Sequence, residues 1–497
     1  MYLQSAIPRQ RYFTQAQVRA LDAVALSTGW PGSELMERAG LAAWQLLCRL
    51  WPQARRLAIV LGPGNNGGDG WVLARWAHHH GLQVDVQATV EHWTGVAAEV
   101  AARAEAAGLR AQGLDPQGLR QADVVVDAVL GSGSRGAPRG AVLAAITAIL
   151  DCGRPVLALD LPSGVDADRG GLYGQHAVHA TATLSFIAAK RGLYTGAAAA
   201  HAGAVWVDDL GVELDAEIVA QAAVRDILPP SWPARARDAH KGQHGHVLVL
   251  GGNEGMPGAA LLCARAAARS GAGWVSLASR PATLAALANR TPEVMGRVIS
   301  HPDAIIAALQ RADVCALGPG LGQDAWAREI FAAVRASGLP CVVDADALRL
   351  LAEQPQPWPQ AVLTPHPGEA AALLASDTAA LQADRFAAVS ALHQRYAATV
   401  VLKGNGSLVC GPAGMALCRA GNPGMASAGM GDALAGLLAA LLAQGLPAQA
   451  AAEAAVFIHA HSADRCAQRQ GERGLLASDI IEAWQEELNP CNVDLMR

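Results

Sequence analysis

The sequence contains few of the features that mark several protein classes. Of its 497 residues only 4% are aromatic and only 16% are charged. The nine cysteines are scattered without any C-x-x-C pair, which predicts reduced thiols in a cytoplasmic protein rather than a disulfide framework. There is no basic run, and the net charge is −5. Nucleic acid is therefore not an expected partner.

Long apolar segments are also missing. The start of the chain, MYLQSAIPRQRYF (1–13), contains no apolar stretch of the kind found in a signal peptide. The apolar run after Asp432, ALAGLLAALLA (433–443), is shorter than the roughly 20 residues that span a bilayer. We therefore expect no membrane partner, and we interpret this run as a core helix.

What is present is a repeated alternation of short Val/Leu-rich runs with Ala-rich stretches of helical length. Hydrophobic residues make up 52% of the chain, and its length predicts two or three domains. Continuous apolar runs are typical of parallel strands covered on both faces by helices. The predicted strands are 56–62, 83–88, 123–131, 155–164 and 182–188, followed by a second series at 246–252, 273–279, 313–320, 340–346, 361–369 and 399–411, and a helix is predicted over 97–108.

The two series are separated by DILPPSWPARARDAHKGQHG (226–245), which carries three prolines and several charges. This composition is typical of a linker and of the entry to a second domain. The sequence thus predicts two α/β domains, 1–225 and 226–497.

A glycine-rich segment, GPGNNGGDG (62–70), lies between a predicted strand and a predicted helix. Such a loop lets backbone N–H groups approach a phosphate at a helix N-terminus. The alternative is a plain tight turn, but a turn needs none of Asn65, Asn66 and Asp69. The segment therefore favours nucleotide or phosphate binding.

Oxygen-bearing side chains follow the predicted strands of the first half. Because the carboxyl ends of parallel strands meet at one crevice, we expect four of them to converge: Asn66, Asp127, Asp160 and Ser163. Oxygen donors of this kind suit a hard cation. An Asp can instead cap a helix or a turn, and we prefer that interpretation for Asp166 and Asp168.

The motifs LMERAG (35–40), GPGNNGGDG, DAVLGSG (127–133), LDLPSGVDADRG (159–170) and ATLSFIAAKRGL (182–193) resemble those of NAD(P)H-hydrate epimerases, with GSG where GTG is common. The resemblance implies a Rossmann-like three-layer α/β/α domain and a potassium site formed by Asn66, Asp127 and Ser163. It also implies that the hydrated nicotinamide nucleotide contacts Asn65, Asn66, Gly67, Gly68, Asp69, Gly131, Ser132, Gly133, Ser134, Arg135, Gly136, Ala137 and Asp160.

A second candidate site lies at GNPGMASAGMGDALAG (421–436). Small residues before Asp432 let several backbone N–H groups point into one space, which together with the helix dipole forms an anion hole. A carboxylate at this point suits a base that deprotonates a hydroxyl attacking a phosphoryl group. The alternative is that Asp432 is only an N-cap.

This stretch resembles the glycine–aspartate motif of ribokinase-like enzymes. Further motifs narrow the resemblance to ADP- or ATP-dependent NAD(P)H-hydrate dehydratases: HKGQHGHVLVLGG (240–252), GMPGAALL (255–262), LGPGLG (317–322), VDADAL (343–348), LTPHPGEAA (363–371), VLKGNGSLV (401–409) and GLLASDI (474–480). The resemblance implies that Ala259, Gly320, His366 and Asp432 contact the hydrated nucleotide. The adenine nucleotide is implied to contact Lys403, Gly404, Asn405, Gly406, Ser407 and Gly431.

Two features of this second resemblance leave room for other interpretations. Ala428 replaces a usual glycine, although it keeps the loop small. His366 alone could be an ordinary core histidine, but its place in TPHPGE at a strand end favours the site.

Together the resemblances imply that an epimerase domain and a dehydratase domain are fused in one chain that repairs hydrated nicotinamide cofactors. The expected activities are epimerisation of R and S NADHX and NADPHX and dehydration of the S form. ADP is the expected phosphoryl donor, and potassium and magnesium are the expected ions. Asp127 is a hypothetical proton carrier in epimerisation. We also expect a homo-oligomer.

Two other functions fit parts of the pattern. A small-molecule kinase with a Rossmann-like regulatory domain would use Asp432 equally well, and it would accumulate a phosphorylated product. A non-catalytic scaffold of messenger-RNA decapping could contain an epimerase-like domain. Such a scaffold has no need of Asn66, Asp127, Asp160 and Ser163, all of which are present.

Overall fold

The computed structural model describes residues 11–27, 29–222, 224–232, 235–299 and 302–489. The chain divides into two compact units, Met1–Arg225 and Asp226–Arg497. None of the helices in this described part combines the length and the hydropathy needed to cross a bilayer.

The first unit alternates strands and helices along the chain. Its elements are β1 (Arg11–Tyr12), α1 (Gln15–Ser27), α2 (Gly32–Leu50), β2 (Arg56–Leu61), α3 (Asn65–His79), β3 (Gln83–Ala88), α4 (Gly95–Ala106), β4 (Ala111–Gln112), α5 (Pro116–Gln121), β5 (Val124–Ala128), α6 (Gly140–Leu150), β6 (Val156–Leu159), β7 (Ala182–Phe186), α7 (Gly196–Ala202), β8 (Ala204–Asp208) and α8 (Ala216–Ala220), with a 3₁₀ turn at Arg191–Tyr194. A short strand, β9 (Val224–Asp226), pairs antiparallel with β1.

The sheet of the first unit is parallel and has the order β4-β3-β2-β5-β6-β7-β8. Along β2 the side chains of Leu57, Ile59 and Leu61 pack with α2, α3 and α4, whereas Ala58 and Val60 pack with α5 and α6. Both faces are therefore covered, which explains why these strands are apolar throughout. The strand order reverses at β2, so a crevice opens beside β2 and β5.

The second unit contains the remaining elements. They are β10 (His246–Leu250), α9 (Pro257–Arg269), β11 (Trp274–Ser279), α10 (Pro281–Arg290), β12 (Met295–Val298), α11 (Pro302–Leu309), β13 (Val314–Leu317), α12 (Ala325–Ser337), β14 (Cys341–Val343), α13 (Asp346–Glu353), β15 (Ala361–Leu363), α14 (Pro367–Leu374), α15 (Thr378–Ala383), α16 (Arg385–Tyr396), β16 (Thr399–Leu402), β17 (Ser407–Gly411), β18 (Gly414–Cys418), α17 (Met430–Ala443), α18 (Ala448–Gln470), α19 (Ala477–Ala483) and α20 (Gln485–Leu488), with 3₁₀ turns at Lys241–His244 and Pro423–Met425.

The sheet of this unit runs β18-β17-β16-β15-β14-β13-β10-β11-β12. It is parallel from β12 to β16 and antiparallel at β17 and β18. The order reverses at β10, so the loops after β10, β13, β14, β15 and β16 meet at one edge of the sheet.

The structure corrects several predicted elements. The run 399–411 is not one strand but the hairpin of β16 and β17, with the glycine-containing segment 403–406 as its turn. The glycine-rich segment 62–70 is not a loop up to residue 70, because α3 already begins at Asn65. Six strands have no counterpart in the predicted list: β1, β4, β8, β9, β12 and β18.

Candidate functional sites

A cavity of about 600 Å³ opens at the carboxyl ends of the strands of the first unit. The loops after β2, β5, β6 and β7 line it together with α1, α2 and α3. Of the predicted residues, eight line this cavity: Asn65, Asn66, Asp69, Gly131, Ser132, Gly133, Ser134 and Asp160. Gly67, Gly68, Arg135, Gly136 and Ala137 are not among its lining residues.

The glycines of α3 serve packing rather than backbone freedom. A Cβ at Gly67 would overlap the carbonyl oxygen of Gly62, and one at Gly68 would overlap the sulfur of Met36. A Cβ at Gly70 would lie 2.7 Å from that of Ala128. The helix therefore sits directly against β2, β5 and α2, and this contact aims its first turn into the cavity.

Asp127, at the end of β5, is fully buried and does not line the cavity. It accepts hydrogen bonds from Ser163 Oγ at 2.6 Å and from Ser163 N at 2.7 Å. Burial raises the pKa of Asp127 to about 6, although the bonds from Ser163 act in the opposite direction. Ser163 Oγ in turn accepts from Leu130 N at 2.8 Å, which ties this pair to the loop after β5.

Asn66 lies close to that loop. A Cβ at Gly131 would be 3.2 Å from Asn66 Cβ and 3.3 Å from Asp160 Oδ2. Both polar atoms of the Asn66 amide are buried and have no hydrogen-bond partner within the described residues. Buried polar groups of this kind are normally satisfied, and the amide oxygen of Asn66 is a donor atom that suits a hard cation.

Asp160 follows β6 and has a left-handed backbone with φ of 64°. Its Oδ1 accepts from Lys190 Nζ at 2.6 Å, and its Oδ2 accepts from Ser132 N at 2.8 Å. Lys190 is fully buried and also donates to Ser185 Oγ at 3.0 Å and to Phe186 O at 3.1 Å. Strained residues of this type persist where surrounding contacts hold them, commonly at functional sites.

Sequence reasoning assigned no role to three charged residues of this cavity, Arg19, Asp22 and Lys190. Lys190 stands in the motif ATLSFIAAKRGL (182–193), but the motif alone predicts no role for it. Asp22 comes from α1 and has no motif around it, so only the fold brings it to the cavity.

In the second unit, Asp432 lies in the first turn of α17. The N-cap is Gly429, with φ of 90°, so Asp432 is not the N-cap. The first N–H groups of an α-helix have no intrahelical acceptor and attract anions. Burial raises the pKa of Asp432 to about 7, with Asp344 adding to the shift and Lys403 opposing it.

Lys403 is at the start of the hairpin turn and faces the same helix terminus. A Cβ at Gly431 would lie 3.1 Å from its Nζ. The Nζ donates to Asp344 Oδ1 at 2.8 Å and lies 4.0 Å from Glu369 Oε2. Burial acts to lower the pKa of Lys403, but Asp344 and Glu369 outweigh it and leave the pKa raised. The site therefore keeps a fixed cation next to Asp432.

Ser407 is the first residue of β17, and its Oγ donates to the carbonyl of Gly404 at 3.1 Å. Gly404, Asn405 and Gly406 complete the turn between the two strands. The predicted adenine-nucleotide residues 403–407 thus form one continuous turn at the carboxyl end of β16.

His366 caps α14. Its Nδ1 accepts from Gly368 N at 3.0 Å and from Glu369 N at 3.3 Å, so the ring proton of the neutral form is on Nε2. Burial lowers the pKa of His366, and Lys403 lowers it further. The side chain is therefore neutral and half-exposed, and it is not the core histidine of the alternative interpretation.

Ala259 and Gly320 come together across the crevice, because a Cβ at Gly320 would lie 3.3 Å from Ala259 Cβ. Gly320 has φ of 59°, a conformation that favours glycine. Two residues along, Gly322 N donates to Asp346 Oδ2 at 2.9 Å. Since Asp346 also raises the pKa of Asp432, these loops border the same site.

Three acidic residues of this site stand in the motifs of the second resemblance but have no predicted role. Asp344 and Asp346 belong to VDADAL, and Glu369 belongs to TPHPGE. Asp344 is buried and also accepts from Thr364 Oγ1 at 2.8 Å. Burial raises the pKa of Glu369 to about 7.

Two family models match the chain. Residues 32–192 match "YjeF-related protein N-terminus", and residues 247–486 match "NAD(P)H-hydrate dehydratase". The "Bifunctional NAD(P)H-hydrate repair enzyme Nnr" of Coxiella burnetii is 43% identical over 96% of this chain and 99% of its own length. The chain belongs to the bifunctional NAD(P)H-hydrate repair enzymes.

Other members of the repair-enzyme family are similarly close. The Escherichia coli enzyme of the same name is 39% identical over 92% of this chain and 90% of its own length. A solved ADP/ATP-dependent NAD(P)H-hydrate dehydratase of Bacillus subtilis, co-crystallized with ATP/Mg²⁺, matches at 27% identity with a TM-score of 0.47. That match covers 52% of this chain and 93% of the other.

These findings confirm the predicted repair-enzyme family with its epimerase and dehydratase activities. The architecture confirms the predicted α/β class in both units. The two alternative functions are set aside, since the family models and the full-length relative agree.

Proposed function

We propose that this chain repairs hydrated NADH and NADPH in two steps, each performed in one of the two crevices. The first unit interconverts the R and S forms of NADHX and NADPHX. The second unit converts the S form to NADH or NADPH and consumes ADP, releasing AMP and phosphate. The observation that carries the proposal is the placement of Asp432 beside Lys403 at the N-terminus of α17.

In the dehydratase site, the Asp432 carboxylate would take the proton of the C6 hydroxyl as that oxygen attacks the terminal phosphoryl group of ADP. Lys403 and the N–H groups of the first turn of α17 would stabilise the charge of the phosphoryl group during transfer. Phosphate then leaves C6 with its electron pair, assisted by the ring nitrogen, and loss of a C5 proton forms the C5=C6 bond.

The remaining predicted residues of this site would position the two nucleotides. Ala259, Gly320 and His366 would border the hydrated cofactor, and His366 Nε2 lies 3.4 Å from Glu369 Oε1. Residues 403–407 border the side assigned to the adenine nucleotide. Magnesium would enter with the phosphoryl donor and would offset its charge.

In the epimerase site, Asn66, Asp127 and Ser163 would hold a potassium ion. All three supply oxygen donors, and the described residues offer the Asn66 amide no hydrogen-bond partner. The ion would supply a positive charge beside the loop 131–137. Asp160, held by Lys190 and Ser132, would contact the nucleotide beside that loop.

The experiment is incubation of mixed R and S NADHX with ADP, or with ATP, while the absorbance of restored NADH is followed. We expect complete restoration by the wild type. Asp432→Ala should abolish restoration and leave R–S exchange intact. Restoration by Asp432→Ala at the wild-type rate would contradict the assignment, and accumulation of a stable phosphorylated product would indicate a kinase instead.

The cytoplasmic location and the homo-oligomer stay predictions. The same holds for the preference for ADP over ATP, which parallel assays with the two donors would decide.

A further inference from the structure

The cavity of the first unit contains three carboxyl groups, and they are not equivalent. Asp22 comes from α1, Asp69 from α3 and Asp160 from the segment after β6. Asp160 is engaged by Lys190 and by Ser132 N. Asp69 is only 9% exposed, and no side-chain hydrogen bond or ion pair of its carboxyl occurs among the described residues.

A buried carboxyl without a protein partner is costly unless a ligand satisfies it. Asp69 lines the cavity, so a ligand in the cavity can reach it. We propose that Asp69 is the general acid and base that exchanges the C6 hydroxyl of the hydrated nicotinamide during epimerisation. This inference rests on the proposed epimerase function and adds the proton carrier to it.

The surroundings of Asp69 and Asp160 favour different protonation states for these two buried carboxyl groups. Burial raises the pKa of Asp69 well above its ordinary value, and Asp160 and Asp22 raise it further. Burial also acts to raise the pKa of Asp160, but Lys190 outweighs it and leaves that pKa lowered. Paired groups whose pKa values are driven apart are typical of acid–base catalysis.

Exchange of the C6 hydroxyl requires only Asp69 and water. The Asp69 carboxylic acid donates its proton to the C6 hydroxyl oxygen, the C6–O bond breaks, and water leaves. The lone pair of the ring nitrogen forms the N1=C6 bond of a planar iminium ion. Water then adds to the other face of C6, the electron pair returns to N1, and the released proton goes back to the Asp69 carboxylate, directly or through one water.

The other candidate groups fit this role less well. Asp127 is fully buried and does not line the cavity. Lys190 already directs its Nζ at three acceptors, Asp160 Oδ1, Ser185 Oγ and Phe186 O. Asp69 therefore replaces Asp127 as the proton carrier.

The decisive variant is Asp69→Asn in the full chain, which keeps the size of the side chain but cannot transfer the proton. Pure (R)-NADHX is incubated without ADP, so that the dehydratase is idle, and the appearance of (S)-NADHX is followed by chromatography. After subtraction of the spontaneous rate, we expect a loss of about 100-fold or more. Asp151→Asn, an exposed residue at the end of α6, is the matched control and should keep the wild-type rate.

Two readouts separate loss of the acid from loss of the fold. KCl should stabilise Asp69→Asn against heat to the same extent as it stabilises the wild type in the same assay, and Asp69→Asn should still dehydrate (S)-NADHX with ADP. Exchange by Asp69→Asn within threefold of the wild type overturns the inference. If the wild type itself does not exceed the spontaneous rate, the proposed epimerase function fails instead.

The wild type alone provides a second test. In H₂¹⁸O each epimerisation should place ¹⁸O at C6, since the C6–O bond breaks; epimerisation without incorporation overturns the step. The rate should also fall as pH rises, because the acid form of Asp69 is consumed. The charged groups facing the cavity besides Asp69 are Arg19, Asp22, Asp160 and Lys190. A rate that stays level or rises with pH overturns the inference even if Asp69→Asn does not fold.

Discussion

Asp432 and Lys403 set the protonation state of the dehydratase site at the level of single residues. The pKa of Asp432 is raised to about 7 by burial and by Asp344. As a base Asp432 acts only when ionised, so kcat/KM for (S)-NADHX should increase as pH rises through about 7 and then level off. A profile that decreases over this range would contradict the role of Asp432 as base.

Lys403 limits how far the pKa of Asp432 is raised, because its positive charge opposes the effect of burial. Lys403→Met should shift the increase in kcat/KM to higher pH and raise KM for ADP. Lys403→Arg should retain the position of the pH profile better than Lys403→Met does. Steady-state kinetics at several pH values measure both effects, and an unchanged profile in Lys403→Met would contradict the coupling.

The potassium proposal depends on the amide of Asn66, for which the described part of the chain provides no hydrogen-bond partner. Potassium at 100 times its Kd should stabilise the folded wild type by about 2.7 kcal/mol, and Asn66→Ala should lose this gain. The neighbouring Asn65→Ala is the matched control and should retain it. Thermal unfolding in KCl against a salt of a large organic cation measures the difference. Equal stabilisation of both variants would exclude Asn66 as a ligand.

At the scale of elements, the packing of α3 makes its glycines hard to replace. Gly67→Ala adds a methyl group against the carbonyl oxygen of Gly62, which is backbone and cannot rotate away. We expect a loss of about 1–3 kcal/mol in the free energy of unfolding, despite the better helix propensity of alanine. Gly133→Ala has no neighbour within 4 Å of its Cβ and should be nearly neutral. Urea denaturation of the two variants tests this contrast.

The elements also show which parts of the fold the sequence predicts. The buried parallel strands β2, β5, β6, β7, β10, β11 and β13 follow directly from largely apolar runs, because both of their faces are covered. Strand β12 was missed because it is largely exposed and its sequence, MGRV, contains no apolar run. The β16–β17 hairpin was read as one strand because its turn, KGNG, is flanked by apolar residues on both sides.

Four residues of the candidate sites stand in glycine-rich motifs, and the sequence points to them for that reason: Asn66, Asp160, Lys403 and Asp432. The sequence does not point to Asp22, because it reaches the cavity from a helix whose sequence carries no motif. Nor does the sequence show that Asp127, in β5, is fully buried and does not line the cavity, whereas Asp69, in the first turns of α3, does line it.

For the whole molecule, the two proposed activities reside in separate crevices, one in each compact unit. Full-length Asp432→Ala should form no NADH from pure (R)-NADHX with ADP, and full-length Asp69→Asn should form it only at the rate of spontaneous epimerisation. A mixture of the two should restore conversion, because (S)-NADHX released by one chain can be used by the other. The rate of NADH formation in the mixture is the measurement. A mixture as inactive as either variant would show that the intermediate does not leave the chain that makes it.

The close packing of α3 against its neighbours limits the substitutions that can be used to stabilise this enzyme. Replacing helical glycines by alanine is a standard route to thermostable enzymes, and NNGGDG would be an obvious target for it. At Gly67, Gly68 and Gly70 the space that an added Cβ would need is already filled by backbone, sulfur or methyl groups of neighbouring segments. A stabilisation campaign should therefore leave this hexapeptide untouched and direct its substitutions to glycines with open surroundings.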